Sequence, residues 1–177
     1  MPKRKATSTK HSSSGRAEPK PGRPHMPRAY QISTTKKFLP WSHVGEQMAK
    51  SHNYWIGTTR PDGRPHVMPV WGVWVDEAFY FSTDRGSRKA LNLADNPAMA
   101  VHLESGNEVV ILEGVAEEVA ESSRLRSIDD AYFEKYGMRI IGHPGDIVIY
   151  GLRPRVVFGW RERDFNKSAT RWLFGDH

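Results

Sequence analysis

The sequence predicts a mainly β (α+β) domain: an antiparallel, Greek-key-like barrel with a few short helices. Three observations carry this prediction. Short runs rich in Val, Ile, Tyr, Phe and Trp recur along the chain, separated by turn signals such as Pro61-Asp62-Gly63-Arg64 and Ser105-Gly106-Asn107. The links between these runs are too short for parallel crossovers, so neighbouring strands should pair antiparallel. Strands and helices do not alternate, which excludes a doubly wound nucleotide-binding sheet.

The chain has 177 residues, with 26 Lys and Arg against 20 Asp and Glu. Residues 1–29 hold eight of the basic residues and one acid, Glu18, whereas residues 30–177 hold 18 basic and 19 acidic residues. The basic excess therefore belongs to the first 29 residues. The nearly neutral body argues against a folded nucleic-acid-binding domain with a basic face. Residues 1–29 offer almost nothing apolar to bury, so they read as a disordered basic tail ahead of one barrel domain over 30–177. The tail is either an arm for a polyanion such as nucleic acid or a solubilising extension. The chain has no cysteine, which excludes disulfides, thiolate metal sites and a Cys nucleophile. No apolar run approaches the roughly 20 residues of a membrane helix, and the N-terminus lacks a signal-type apolar stretch. A cytoplasmic protein with no membrane partner is expected.

In chain order, residues 40–52 form a helix, since Trp41, Val44 and Met48 share one face and Pro40 opens it. Residues 54–60 form a strand ending at the Pro61–Arg64 turn, where Pro presets φ and Gly63 accepts a positive φ. Residues 66–75 form a second strand, interrupted by Pro69 and Gly72; a Pro cannot donate to a ladder, so Pro69 should mark an edge or a bulge. Asp76-Glu77 turns the chain into a third strand over 78–83. A helix follows to Asp95 with Ser87 as its N-cap, stopped by Asn96-Pro97. Residues 98–104 and 108–119 form a hairpin with a bulge at Gly114. Residues 122–136 form a helix with Leu125, Ile128, Tyr132 and Tyr136 on one face and Gly137 as its stop. Two separate late strands are expected, 147–152 and 156–161, then a short strand or extended arm over 168–174, for about seven strands in all.

Chemistry concentrates in Phe81–Leu93, FSTDRGSRKALNL. A strand ends at Ser82-Thr83, and a turn holding Arg85 and Gly86 leads to a helix that begins Ser87-Arg88-Lys89. Helix N-termini carry free N–H groups and positive partial charge. A hydroxyl, a guanidinium and an ammonium added there suit a phosphate. The alternative is a solvated first turn with a Ser cap. Cations at this end oppose the dipole, which favours a bound anion.

With those residues in place, the run from Tyr54 to Val119 resembles the pyridoxamine 5′-phosphate oxidase-like family of FMN-binding split β-barrels, which use flavin or deazaflavin. The likeness lies in the order of the PDGRPHV turn, the PVWGVWVDEAFYFST hairpin, the SRKALNLADNP helix and AVHLESGNEVVILEGVAE. It implies that Ser87, Arg88 and Lys89 grip the cofactor phosphate, with Ser82 and Thr83 reaching phosphate or ribityl groups. It implies that Val67, Met68, Pro69 and Val70 run under the ring system and bond it through the backbone. It also implies a homodimer with cofactor sites between subunits. Where true pyridoxamine phosphate oxidases carry an Arg in the second strand, this chain has Val67. The pattern Arg85-x-x-x-Lys89-x-x-Asn92-Leu93 is more similar to the branch that uses coenzyme F420, with FMN as the alternative cofactor.

The expected activity is that of an oxidoreductase moving a hydride between F420 or FMN and a small conjugated organic substrate. In such enzymes the cofactor carries the chemistry and no obligatory acid or base need show in the sequence, so no catalytic residue is assigned. The alternatives are a non-enzymatic flavin or haem carrier, a pyridoxamine phosphate oxidase-type flavin oxidase, and a nucleic-acid partner acting through the tail. His66 is either a proton donor near the ring or a surface residue. His102 reads as a barrel residue. The eight His show no metal-ligand spacing, so no metal site is expected. Trp71, Trp74, Trp160 and Trp172 read as core or as interface and ring-facing surface.

Overall fold

A computed structural model describes residues 18–175. The expected tail lies outside the described residues up to position 17, but residues 18–29 belong to the fold. Lys20–Gly22 form strand β1, paired antiparallel with the last strand. The Arg23 guanidinium explains why so polar a segment is held. It donates to the carbonyls of Ala169 at 2.7 Å, Lys167 at 2.8 Å, and Thr35 and Lys37 at 2.9 Å each. This polar bonding to carbonyls adds to the burial of Pro19 and Pro24, so the domain begins earlier than residue 30.

The remaining elements are helix α1 (Trp41–Lys50), strands β2 (Tyr54–Thr59), β3 (Pro65–Val70), β4 (Val73–Val75) and β5 (Ala78–Asp84), helix α2 (Arg88–Asp95), strands β6 (Ala98–Leu103) and β7 (Glu108–Glu118), helix α3 (Ser122–Tyr136), strand β8 (Ile147–Arg161), helix α4 (Phe165–Ser168) and strand β9 (Thr170–Leu173). All pairings are antiparallel. The ladder runs β1-β9-β8-β7-β6-β2-β3, and β5 joins β8 while carrying β4 on its far side. This is the antiparallel split barrel that the sequence predicts.

The two late strands expected are one. β8 continues through Pro154 because Arg155 is accommodated as an extra residue: Glu113 pairs with Val156 and Gly114 with Pro154. Gly114 is required opposite, since a Cβ there would lie 2.8 Å from the Arg153 carbonyl oxygen. The bulge expected at Gly114 thus sits across the ladder from it, on β8. The bend lets one edge of β8 serve two partners, β5 along 147–152 and β9 along 156–159.

The second expected strand is split into β3 and β4 at Trp71-Gly72. Pro69 pairs with Trp55 on an edge strand, where its missing N–H costs no ladder bond. The β4–β5 turn places Asp76 and Glu77 at φ of 49° and 57°, the two-residue left-handed turn that matches strand twist. Trp41 Nε1 donates to Glu77 at 2.6 Å and helps hold it.

Two apolar layers result. The barrel interior holds Val44, Met48, Tyr54, Phe79, Phe81, Leu112, Leu152 and Trp172, so Trp172 is core. α3 covers the outer side of β4, β5 and β8 with Ile128 and Tyr132 packed on Val73, Ala78, Tyr80 and Ile149. Gly137, at φ 69°, ends α3 as its left-handed cap.

Candidate functional site

The start of α2 is built by local hydrogen bonding. Asp84 Oδ1 accepts from the Gly86 N–H at 2.8 Å, which closes the turn after β5. Ser87 then caps the helix, its Oγ accepting from the Ala90 N–H at 3.4 Å. The Thr83 hydroxyl meets the Ser87 hydroxyl at 3.0 Å. Two hydroxyls and the first helical N–H groups therefore share one corner, with Arg88 and Lys89 beside them.

A second chain of bonds ties α2 to the β2–β3 hairpin. Asn92, fully buried, donates from Nδ2 to Thr58 Oγ1 at 3.0 Å, and Thr58 Oγ1 lies 3.4 Å from His66 Nδ1. Thr58 Oγ1 accepts from Asn92 and donates to the His66 carbonyl at 3.4 Å, so α2 and the hairpin are joined through this one hydroxyl. Asn92 Oδ1 is buried without a hydrogen-bond partner among the described residues.

The electrostatics of this corner are one-sided. His66 is pushed below its ordinary value by partial burial, then by Arg60, Lys89 and Arg88. Burial lowers Lys89, opposed by Asp84. Four basic groups thus converge with one carboxylate nearby. Such an arrangement favours an anion, since each cation at a helix N-terminus opposes the dipole until one binds.

Arg85 is not brought to this group. Its guanidinium is forked by Glu118 at 2.5 and 2.9 Å and lies 3.5 Å from Asp146. These contacts, the Glu118 hydrogen bond first, hold Arg85 above its ordinary value. Its position in the sequence beside Gly86 gave no sign of a partner 33 residues away. Ser82 has its N–H turned to the Tyr132 hydroxyl at 3.2 Å. Val67 and Met68 are 50% and 41% exposed, Pro69 is exposed and Val70 is buried, so the edge strand presents a partly apolar surface. Trp71 continues that surface at 44% exposure and stacks on Tyr136 with ring centres 4.7 Å apart.

Sequence reasoning missed Thr58 and Arg60, which reach the corner only through the β2–β3 register: Thr58 pairs with His66. It also missed Lys135. Lys135 Nζ donates to Tyr54 Oη at 2.6 Å and to the Gly72 carbonyl at 3.0 Å, and burial lowers its pKa to about 8. No group of three or more metal-ligating side chains occurs among the described residues. Among the described residues, no helix is long and apolar enough to cross a membrane.

The family model for pyridoxamine 5′-phosphate oxidase matches residues 42–161, which spans α1 through β8. The chain belongs to the pyridoxamine 5′-phosphate oxidase family. Solved structures of similar fold include conserved hypothetical protein Rv2991 from Mycobacterium tuberculosis, 25% identical, with a TM-score of 0.63, over 71% of this chain and 86% of that one. An F420 reductase is 22% identical over 67% of this chain and 98% of its own, with a TM-score of 0.53. HutZ, the haem storage protein from Vibrio cholerae, is 21% identical over 64% and 89%, with a TM-score of 0.55. No curated protein matches the chain. Within the pyridoxamine 5′-phosphate oxidase family match, the corner formed by Thr83, Ser87, Arg88, Lys89 and His66 falls entirely inside residues 42–161.

Proposed function

We propose that the protein is a homodimeric oxidoreductase that holds coenzyme F420 or FMN by its phosphate at the start of α2. The observation that carries this reading is the convergence of Arg60, His66, Arg88 and Lys89 on a helix N-terminus already lined by the Thr83 and Ser87 hydroxyls. Arg88 and Lys89 would bind the phosphate, one as a fork and one as a point charge, while Ser87, Thr83 and the helical N–H groups complete its hydrogen bonds. The orphaned Asn92 Oδ1 leaves an acceptor at the same helix. Val67 to Val70 would lie under the ring, whose bonding they can supply from the unpaired edge of β3. The exposed Val67, Met68 and Trp71 form the kind of apolar surface that a second subunit covers. The bound cofactor supplies hydride transfer to or from a small conjugated substrate. The chain's own residues bind, orient and exclude water.

The likeness to an F420 reductase supports F420 ahead of FMN, and Val67 in place of a phosphate-binding Arg argues against pyridoxamine phosphate oxidation. A flavin or haem carrier without turnover is the second reading. The half-exposed His66 imidazole at the rim of the same surface gives that reading a ligand.

Trp fluorescence titration of the full chain with F420, FMN and haem tests both. The expected result is tight binding of F420 or FMN, weakened at least about 10-fold in the Arg88→Ala/Lys89→Ala variant, since charged hydrogen bonds contribute about 1.5–3 kcal/mol each. Unchanged affinity in that variant refutes the phosphate assignment. Haem binding without turnover of any reduced cofactor moves the protein to the carrier class.

A further inference from the structure

A cavity lies outside the corner just discussed. It occupies about 570 Å³ on the outer wall of the barrel, between β5, β7, β8, the start of α3 and the C-terminal arm. That volume is within the roughly 300–1,000 Å³ range of small-molecule sites. Its floor is apolar and made by small residues. A Cβ at Gly151 would lie 2.6 Å from the Tyr80 ring, so the glycine leaves that ring room against β8. Ala78, Val115 and Val119 complete the floor. Phe174 forms a side wall and is held by the Trp41 ring at 5.2 Å and by its N–H, which donates to the Arg155 carbonyl at 3.0 Å.

The rim is polar and unevenly matched. Glu118 is already forked by Arg85, and Arg124 lies 3.6 Å from Glu121. Arg153 makes one long bond, 3.4 Å to the Asp76 carbonyl. The Arg155 guanidinium and the Tyr80 hydroxyl make no hydrogen bond or ion pair among the described residues, and burial raises the Tyr80 hydroxyl above its ordinary value, opposed by the charges of Arg153 and Arg124. Arg155 is the extra residue of the β8 bulge, a device that re-aims a side chain. Two guanidiniums and a phenol thus face an apolar floor with little to bond. Glu117, Glu118 and Glu121 stand around them and would repel a di- or trianion.

We propose that this cavity is a second binding site, for a planar aromatic monocarboxylate. The ring lies on the apolar floor against Phe174, and Arg153 and Arg155 hold the carboxylate, with the Tyr80 hydroxyl at the edge of its buried ring donating to it. The rim glutamates set the preference for a single negative charge, which distinguishes the site from the phosphate corner.

The test is calorimetric titration of the full chain with 2-naphthoate and with 2-naphthamide, which has the same shape without the charge. Saturable binding of one naphthoate per chain is expected, with the amide at least about 10-fold weaker. The Arg153→Ala/Arg155→Ala variant should bind naphthoate at least about 10-fold more weakly; both side chains are exposed, so its circular dichroism should match that of the parent. The Arg88→Ala/Lys89→Ala variant should bind it unchanged. Absence of saturable naphthoate binding overturns the proposal. So does equal binding of acid and amide, or binding that Arg88 and Lys89 control instead of Arg153 and Arg155.

Discussion

Replacing Tyr132 by Phe removes one oxygen atom, yet it should destabilise the fold more than most single substitutions. Tyr132 is fully buried on α3, and its hydroxyl joins two separate parts of the sheet. It accepts from the Ser82 N–H at 3.2 Å and donates to the Trp71 carbonyl at 2.9 Å. Ser82 is in β5, and Trp71 lies in the break between β3 and β4, where no ladder bond holds the chain. Burial raises the hydroxyl above its ordinary pKa, so it stays a protonated donor across the working range. Phe fills the same space, so no cavity arises, and the loss is that of two peptide groups left without partners. Each such group costs about 1–3 kcal/mol. Ser82 and Trp71 keep some solvent contact, so about 1–1.5 kcal/mol each, or about 2–3 kcal/mol in all, is the expected loss. For a domain of this size that lowers Tm by roughly 4–12 °C. Urea denaturation should show a lower midpoint with an unchanged slope, because the surface exposed on unfolding is the same. A loss below about 0.5 kcal/mol would falsify the idea that this hydroxyl bridges the break.

Three further outcomes are expected. Gly72→Ala should destabilise by about 1–3 kcal/mol or more, since its Cβ would sit 2.4 Å from the Phe79 ring and 2.8 Å from the Tyr80 carbonyl; thermal unfolding checks this. Lys135, lowered by burial to about 8, sheds its proton in the folded state while the unfolded chain still holds it, so stability should rise between pH 8 and about 10. Lys135→Met should flatten that rise, as read from urea midpoints over the same range. Burial, Arg60, Lys89 and Arg88 depress His66, and an anion seated on Arg88 and Lys89 offsets the cationic part. Cofactor binding should therefore take up a proton near neutral pH, visible as a dependence of the binding heat on buffer ionisation enthalpy that His66→Gln abolishes.

The barrel was legible because each strand announces itself locally. Alternation along Tyr54–Thr59, the Pro61–Gly63 turn and the Ser87 cap each depend on neighbours a few residues away. Pro69 told of an edge for the same reason. What was not legible depends on partners far along the chain. Pro154 looks like a strand breaker until Gly114 is seen opposite it, and β8 then runs unbroken. The polar stretch around Lys20 looks unable to fold until Arg23 is seen against the carbonyls of Lys167 and Ala169. In the candidate site, Ser87, Arg88 and Lys89 are contiguous and readable, whereas Thr58, Arg60 and His66 enter through the hairpin register. Arg85 leaves through an ion pair with a strand whose distance in sequence hides it.

The pairing of β1 with β9 has a topological consequence. Lys20 and Leu173 face one another in register, so the first and last described strands end side by side. A short flexible linker could join them, and the chain could be reopened at the exposed Asp62-Gly63 turn without cutting a ladder bond. Such a circular permutant would keep the strand order while moving both chain ends to the rim of the phosphate corner. There a fused peptide or dye would report on whatever binds between His66 and α2.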